Sequence, residues 1–319
     1  MSDSKLTHSI NNMNVTAFPY AYFLDQITPI EKANVSIMTN ALQYGTGWFA
    51  GVRGYMQEDE TLGIFRLDDH VERFMQSSKV LGVKLDHNSQ KIKDAIIALT
   101  KKNKPTTDVY YRPFAYAHLT NLTPSLAENH TFTFSLYMIP LGDYIPTDRG
   151  NKVCVSSWTR IDDTMIPPRA KVAGGYINSA LAKQEAVNKG YDEAIFLNVR
   201  GRVCEGSSMN IFLVRDGVLI TPAVNEGILE GITRRSIITI ARELGITVEE
   251  RAVERTELYV ADEVFFSGTG AQVAWVQEVD NRVVGKNKIG PITQKLQKIF
   301  FDVVRGKNKK YAHWISVVK

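Results

Sequence analysis

Cysteine is scarce in this chain of 319 residues: Cys154 and Cys204 stand far apart, outside any CxxC pair or histidine cluster. That excludes a disulfide framework and a zinc site, and both read as buried thiols. No apolar run approaches the ~18–20 residues of a spanning helix, and the opening MSDSKLTHSINNMN has no apolar signal core. The chain therefore reads as cytoplasmic, with residues 1–14 flexible and no membrane partner. Charge of one sign is also in short supply, since 38 Lys and Arg against 34 Asp and Glu leave only +4. The basic residues Lys286, Lys288, Lys295, Lys298, Arg305, Lys307, Lys309 and Lys310 read as a solvated helix face. No nucleic acid is expected, because neither interleaved aromatics nor a recognition motif accompanies them. His8, His70, His87, His118, His130 and His313 make no HExxH or ligand pair, so no metal is expected, and no GxSxG occurs. GxxxxGK[ST] is missing too, and the glycine clusters at Gly45 and Gly268 lack the third glycine of a dinucleotide fingerprint.

What is present is a folded composition, 44% hydrophobic and 23% charged, on a length that suits about two domains. Thr131–Ile139 alternates, with Phe132, Phe134, Leu136 and Met138 on one face, the period of a half-buried strand. It runs into Pro140–Asn151, where two prolines, two glycines and three charges suit an interdomain connection. We expect a smaller N-terminal α/β domain over 1–139, a linker over 140–151 and a larger C-terminal domain over 152–319. In the first, a helix capped by Asp68 or Asp69 runs to about Leu81, with Arg73 near its start. In the second, strands at Val153–Ser157, Ala194–Asn198, Asn210–Val214 and Glu263–Ser267 alternate with helices at Asn178–Lys189, Thr233–Leu244 and Pro291–Val304. The fold class is α/β or α+β.

Four local patterns could carry chemistry. Lys171 lies among small residues in PPRAKVAGGYIN, where burial would lower its pKa and free an amine for Schiff-base work. A surface-loop lysine is the plainer reading. Glu205 precedes GSSMN and an apolar strand, and could equally be a turn cap. Gly231-Ile232-Thr233 opens a helix, a ready anion site, or Thr233 is a simple N-cap. Ser267-Gly268-Thr269-Gly270-Ala271 could admit a phosphate or carboxylate to its amides, or be a tight turn.

In their order, Lys171 with Tyr176, Glu205, the GITR at Gly231–Arg234 and the ADEVFFSGT at Ala261–Thr269 resemble the class IV, pyridoxal-phosphate-dependent aminotransferases. The resemblance spans roughly Asn40 to Thr293. Within that class, ALQYGTGWFAGVRGY at Ala41–Tyr55 and Tyr110-Tyr111-Arg112-Pro113 look like the branched-chain amino acid aminotransferases. The resemblance implies a two-domain fold-type IV architecture with pyridoxal 5'-phosphate between the domains. It implies that Lys171 binds the cofactor aldehyde and later carries a proton at the substrate α-carbon. Glu205 would face the pyridine nitrogen and Tyr176 the ring oxygen, while Arg73, Ile232, Thr233 and Thr269 would hold the phosphate. Tyr110 and the turn Thr269-Gly270-Ala271 would take the α-carboxylate, and Phe49, Tyr144 and a partner's Leu122 the side chain. Arg112, with Tyr44 from the partner, would receive the distal carboxylate of glutamate, and Arg53 is counted with the substrate residues. A homodimer or higher assembly follows.

The implied reaction is transamination between leucine, isoleucine or valine and 2-oxoglutarate, giving branched-chain 2-oxo acids and glutamate. Gly270, where alanine or threonine is common, and Ala50, where an acidic residue is common, depart from the family pattern and bear on side-chain preference. A D-amino acid aminotransferase or a 4-amino-4-deoxychorismate-lyase-like enzyme of the same fold is the alternative. Arg53 and Tyr110-Tyr111-Arg112 argue against both. A non-catalytic binding protein is the rival from another class.

Overall fold

A computed structural model describes residues 16–118, 120, 122–126 and 132–319; the expectations on residues 1–14, His8, His130 and Thr131 lie outside these. The alternating segment forms the strand Phe132–Pro140, with Phe132, Phe134, Leu136 and Met138 all buried. It pairs antiparallel with Val109–Ala117 from Val109↔Pro140 through to Ala117↔Phe132. This long pair is the middle of an antiparallel sheet of eight strands among the described residues. Leu62–Phe65 and Val52–Met56 lie on one side of the pair, and Tyr20–Phe23 and Gln26–Pro29 on the other. Gly47–Phe49 also joins Val109–Ala117. The helices Leu67–Val80 and Ser89–Asn103 close one face, burying Val71, Phe74, Ile92, Ile96 and Leu99 against Trp48, Tyr111 and Phe134.

The second sheet has nine described strands and is mixed. Asn151–Thr159 runs parallel to both Glu193–Leu197 and Gln272–Val279, whereas Asn210–Arg215, Glu263–Gly268 and Gln272–Val279 are antiparallel neighbours. The helices Ile232–Glu243 and Pro291–Val304 cover one face, through Ile237, Ile240, Leu296 and Phe300 against Phe212 and Phe265. Tyr176–Asn188 packs Ala182 and Ala186 on Phe196. Strands and helices thus fall where an α/β or α+β chain requires them, and the segment between Pro140 and Asn151 is without regular structure.

Several local expectations are corrected. Neither Asp68 nor Asp69 caps its helix, because Arg66 stands at the N-cap with φ 48° and the helix starts at Leu67. Both carboxylates lie in the first turn, where the helix dipole favours them, and Asp69 is gripped by Arg66 at 2.6 and 2.7 Å. Asn178 does not start a helix, since its amide is spent on Ile161 N and Thr159 O and the helix opens at Tyr176. Gly231, not Thr233, is the N-cap of Ile232–Glu243. Arg305 is no solvated cation: it forks onto Asp108 at 2.6 and 2.7 Å. The strand Ile315–Val318 leaves the C-terminal region and pairs with Leu62–Phe65 in the first sheet, so the span 152–319 does not all lie in one unit.

Candidate active site

Where the two sheets face each other a cavity of about 540 Å³ opens, with Phe49, Tyr110 and Arg112 on the side of the first sheet and Lys171, Glu205 and Thr269 on that of the second. Lys171 is fixed through its backbone. Its carbonyl accepts Phe49 N at 3.0 Å, its N–H reaches Ser77 Oγ at 3.4 Å, and the next residue, Val172, bridges to Trp48. The cavity admits solvent to the side chain, but protein crowds the amine, which lies 5.2 Å from the Phe49 ring centre and 5.1 Å from that of Tyr176. Burial first, and then the Arg73 charge, push this lysine well below the usual amine range. That lowering favours the neutral, nucleophilic form of the amine.

Glu205 lies on the strand Val203–Gly206 and is buried. Its Oε2 accepts Asn210 Nδ2 and Leu229 N, each at 3.1 Å, and its Oε1 meets Arg160 Nη2 at 2.9 Å. Burial pushes the carboxyl up, and Arg160 is the foremost influence opposing that. Arg73 projects from its helix to Glu230 O at 3.1 Å, beside the first amides of Ile232–Glu243. Burial lowers its guanidinium to about 10, which leaves it charged at neutral pH. A buried cation beside free helix N–H groups, with the Gly268–Ala271 turn on the same cavity, is a site for a phosphate.

On the strand Val109–Ala117 the period of two puts Tyr111 in the core and Tyr110 and Arg112 on the cavity. Arg112 Nη2 donates to Tyr110 OH at 3.1 Å and its guanidinium lies 4.3 Å from the Phe49 ring centre. Gly51 makes room for this pair, since a Cβ there would fall 2.1 Å from Tyr110 OH.

The structure thus brings Lys171, Arg73, Tyr176, Glu205, Ile232, Thr233 and Thr269 onto one cavity with Phe49, Tyr110, Arg112, Tyr144, Gly270 and Ala271. Arg53 is not among them. It is 2% exposed and braces the turns behind the cavity by donating to Leu141 O, Gly142 O and Gly270 O. Tyr44 and Leu122 also lie off this cavity, joined to each other by a 2.9 Å hydrogen bond from Tyr44 OH to Leu122 O. Sequence reading missed Arg160, and it met Asn210 and Ser267 only as members of the GSSMN stretch after Glu205 and of the turn at Gly268, without assigning them to the site; all three lie on the cavity.

These residues fit pyridoxal phosphate. Lys171 would supply the amine for its aldehyde, Glu205 an acceptor for its ring nitrogen, and the Arg73 pocket a place for its phosphate. Burial holds Tyr176 high, so its phenol remains a donor for the ring oxygen. Ser267 Oγ is buried on the cavity with no partner among the described residues.

Comparison with known proteins agrees with this geometry. A family model described as amino-transferase class IV matches residues 60–279. A probable branched-chain-amino-acid aminotransferase of Aquifex aeolicus is 46% identical over 301 residues, covering 94% of this chain and 96% of that protein. The branched-chain-amino-acid aminotransferase of Pseudomonas aeruginosa is 39% identical over 293 residues, covering 90% and 93%. Among solved structures, the branched-chain aminotransferase of Thermoproteus uzoniensis with norvaline superposes with a TM-score of 0.91 at 39% identity, covering 95% of this chain and 100% of that one. The branched-chain amino acid aminotransferase of Thermobaculum terrenum, in its PLP-form, gives 0.90 at 39% identity, covering 95% and 99%. A buried lysine held below the usual amine range, a buried carboxylate and an anion pocket on one cavity, in a chain with these relatives, lead to one assignment: the protein belongs to the class IV aminotransferases, in the branched-chain amino acid group.

Proposed function

We propose that the protein uses pyridoxal 5'-phosphate to exchange the amino group between L-leucine, L-isoleucine or L-valine and 2-oxoglutarate, giving branched-chain 2-oxo acids and glutamate. The observation that carries this is the meeting of Lys171 and Glu205 with Tyr110, Arg112 and Phe49 on one cavity. When bound, the cofactor supplies an electron sink for the bond broken at the α-carbon. Lys171 moves the proton between that carbon and the C4′ of the cofactor, a transfer that the lowering of its pKa by burial favours. Glu205 holds a proton on the ring nitrogen, Tyr176 donates to the ring oxygen, and Arg73 with the amides of Ile232 and Thr233 fixes the phosphate. Tyr110 and the Thr269-Gly270-Ala271 turn take the α-carboxylate. Phe49 and Tyr144 offer apolar surface to an aliphatic side chain, and Arg112 offers a cation to the distal carboxylate of glutamate.

A homodimer belongs to the same proposal. Ile37 is 84%, Leu42 64% and Leu122 77% exposed, an apolar collar around Tyr44 that a second copy would cover. From there Tyr44 and Leu122 would reach the partner's cavity. The segment 140–151 acts as the connection between the two units, with the C-terminal strand added to the first. Cytoplasmic residence accords with Cys154 and Cys204, both free and buried. Among the described residues no helix is long and apolar enough to cross a membrane.

The test is a single-turnover panel of L- and D-amino acids on the wild type and on Arg112→Met. Leucine, isoleucine and valine should react in the L series. Arg112→Met should lose kcat/KM for glutamate by orders of magnitude while leucine stays within about tenfold, or 1.4 kcal/mol, because only glutamate leaves a charge unpaired in the cavity. Equal losses would make Arg112 a scaffold or α-carboxylate residue, and preference for D-amino acids would favour the D-aminotransferase alternative.

A further inference from the structure

Glu205 sits in a lopsided cradle. Its Oε2 is held by two neutral N–H donors, whereas its Oε1 has Arg160 as its one charged partner, at 2.9 Å. The side chains of Arg160 and Glu205 are 11% and 6% exposed. The neutral side of the cradle is rigid. Asn210 Nδ2 also donates to Leu229 O at 2.9 Å, and a Cβ at Gly231 would fall 2.0 Å from Asn210 Oδ1. The charged side rests on one guanidinium, packed over the Phe196 ring at 5.6 Å, with its Nε buried and unpartnered among the described residues. Other groups around the carboxylate do not replace it. Tyr176 and Cys204 are held in their neutral forms, and Lys171, Arg73 and Arg234 exert their charge without hydrogen-bonding Glu205.

We propose that Arg160 is the positioning residue of this centre: its charged hydrogen bond keeps the Glu205 carboxylate ionised and oriented, so that Glu205 can hold a proton on the cofactor ring nitrogen. The proposal rests on the role of Glu205 given above. Arg160 does not touch the reacting atoms. It acts through the carboxylate, which in a buried site prefers to be neutral unless a cation stands beside it. A protonated Glu205 would donate a hydrogen bond where an acceptor is needed. The ring nitrogen would then lose its proton, and with it the pull on the substrate carbon.

The experiment compares holoenzyme of the wild type, Arg160→Met, Arg160→Lys and Glu205→Gln. It records the visible absorption of the bound cofactor across pH, single-turnover rates with L-leucine, and thermal unfolding of the cofactor-free proteins. Arg160→Met should move the pH dependence of the band toward that of Glu205→Gln and slow the half-reaction about tenfold or more, with apparent leucine affinity within about twofold. Arg160→Lys, which keeps the charge, should recover much of both. A wild-type band titration and rate in Arg160→Met, with Glu205→Gln slow, would overturn the proposal and leave the Glu205 reading standing. A lowered unfolding temperature with an unmoved titration would likewise overturn it, as would an Arg160→Lys protein no better than Arg160→Met. Wild-type rates in Glu205→Gln would instead overturn the role of Glu205 itself. Should Arg160→Met fail to fold, Arg160→Gln, uncharged and polar, takes its place with the same expected and overturning results.

Discussion

Where the Lys171 amine lies, burial disfavours the ammonium, and the fold bears that cost below the lysine's ordinary value of 10.5. The folded pKa is depressed, so between the two values the unfolded chain binds the proton more readily, and stability falls as pH drops below 10.5. Lys171→Met in the cofactor-free protein should therefore unfold at a higher temperature than the wild type at neutral pH. That advantage should shrink as pH rises toward 10.5; thermal scans at a series of pH values check both parts, and a constant difference would show that burial does not disfavour the ammonium. For Lys171 and Glu205 the local pattern offered a site beside a surface-loop and a turn-cap reading, and the order of the motifs along the chain is what singled them out. Arg160 was not legible. Its partner is 45 positions away, and Arg160 N bonds to Leu197 O, so pairing between strands rather than spacing along the chain brings it to Glu205. Arg53 was over-read for the opposite reason: an arginine in a motif looks like a substrate ligand until its donors are found on backbone carbonyls.

The helix Pro291–Val304 begins where the proline predicts, yet what satisfies its open amides is Glu263, on a strand of the second sheet. Its two oxygens accept Ile292 N at 3.0 Å and Thr293 N at 2.7 Å, a carboxylate set against the positive end of the helix dipole. Glu263→Ala should destabilise the protein by about 1–3 kcal/mol, since two buried amides lose their acceptor. Thermal unfolding measures it, and an unchanged Tm would mean that water caps the helix as well. Proline and glycine mark helix ends in sequence because they act on their own backbone. Caps supplied from another element, or denied as at Asn178, follow from tertiary contacts and leave no such mark.

At the scale of the whole molecule, ties besides those at the cavity join the two sheets. Arg305 forks onto Asp108, and Phe65 packs edge-on against Phe300 and Trp314 at 5.6 and 6.1 Å between centroids. The alternation of Phe132–Pro140 and the break at Pro140 were legible, but the return of Ile315–Val318 to Leu62–Phe65 was not, because register between distant strands is written in neither. Deleting residues 315–319 should lower Tm, raise aggregation by baring the edge of Leu62–Phe65, and weaken cofactor retention, as that strand leads directly into the helix bearing Arg73. Scattering, unfolding scans and the cofactor band after dialysis would show it; retention equal to wild type would mean that the helix holds its place unaided. The pairing also has a bearing on synthesis. A ribosome delivers Leu62–Phe65 early and Ile315–Val318 nearly a whole chain later, so the nascent protein carries an unfinished sheet edge for most of its making, and the helix bearing Arg73 follows an edge that stays unpaired until residue 318 has emerged.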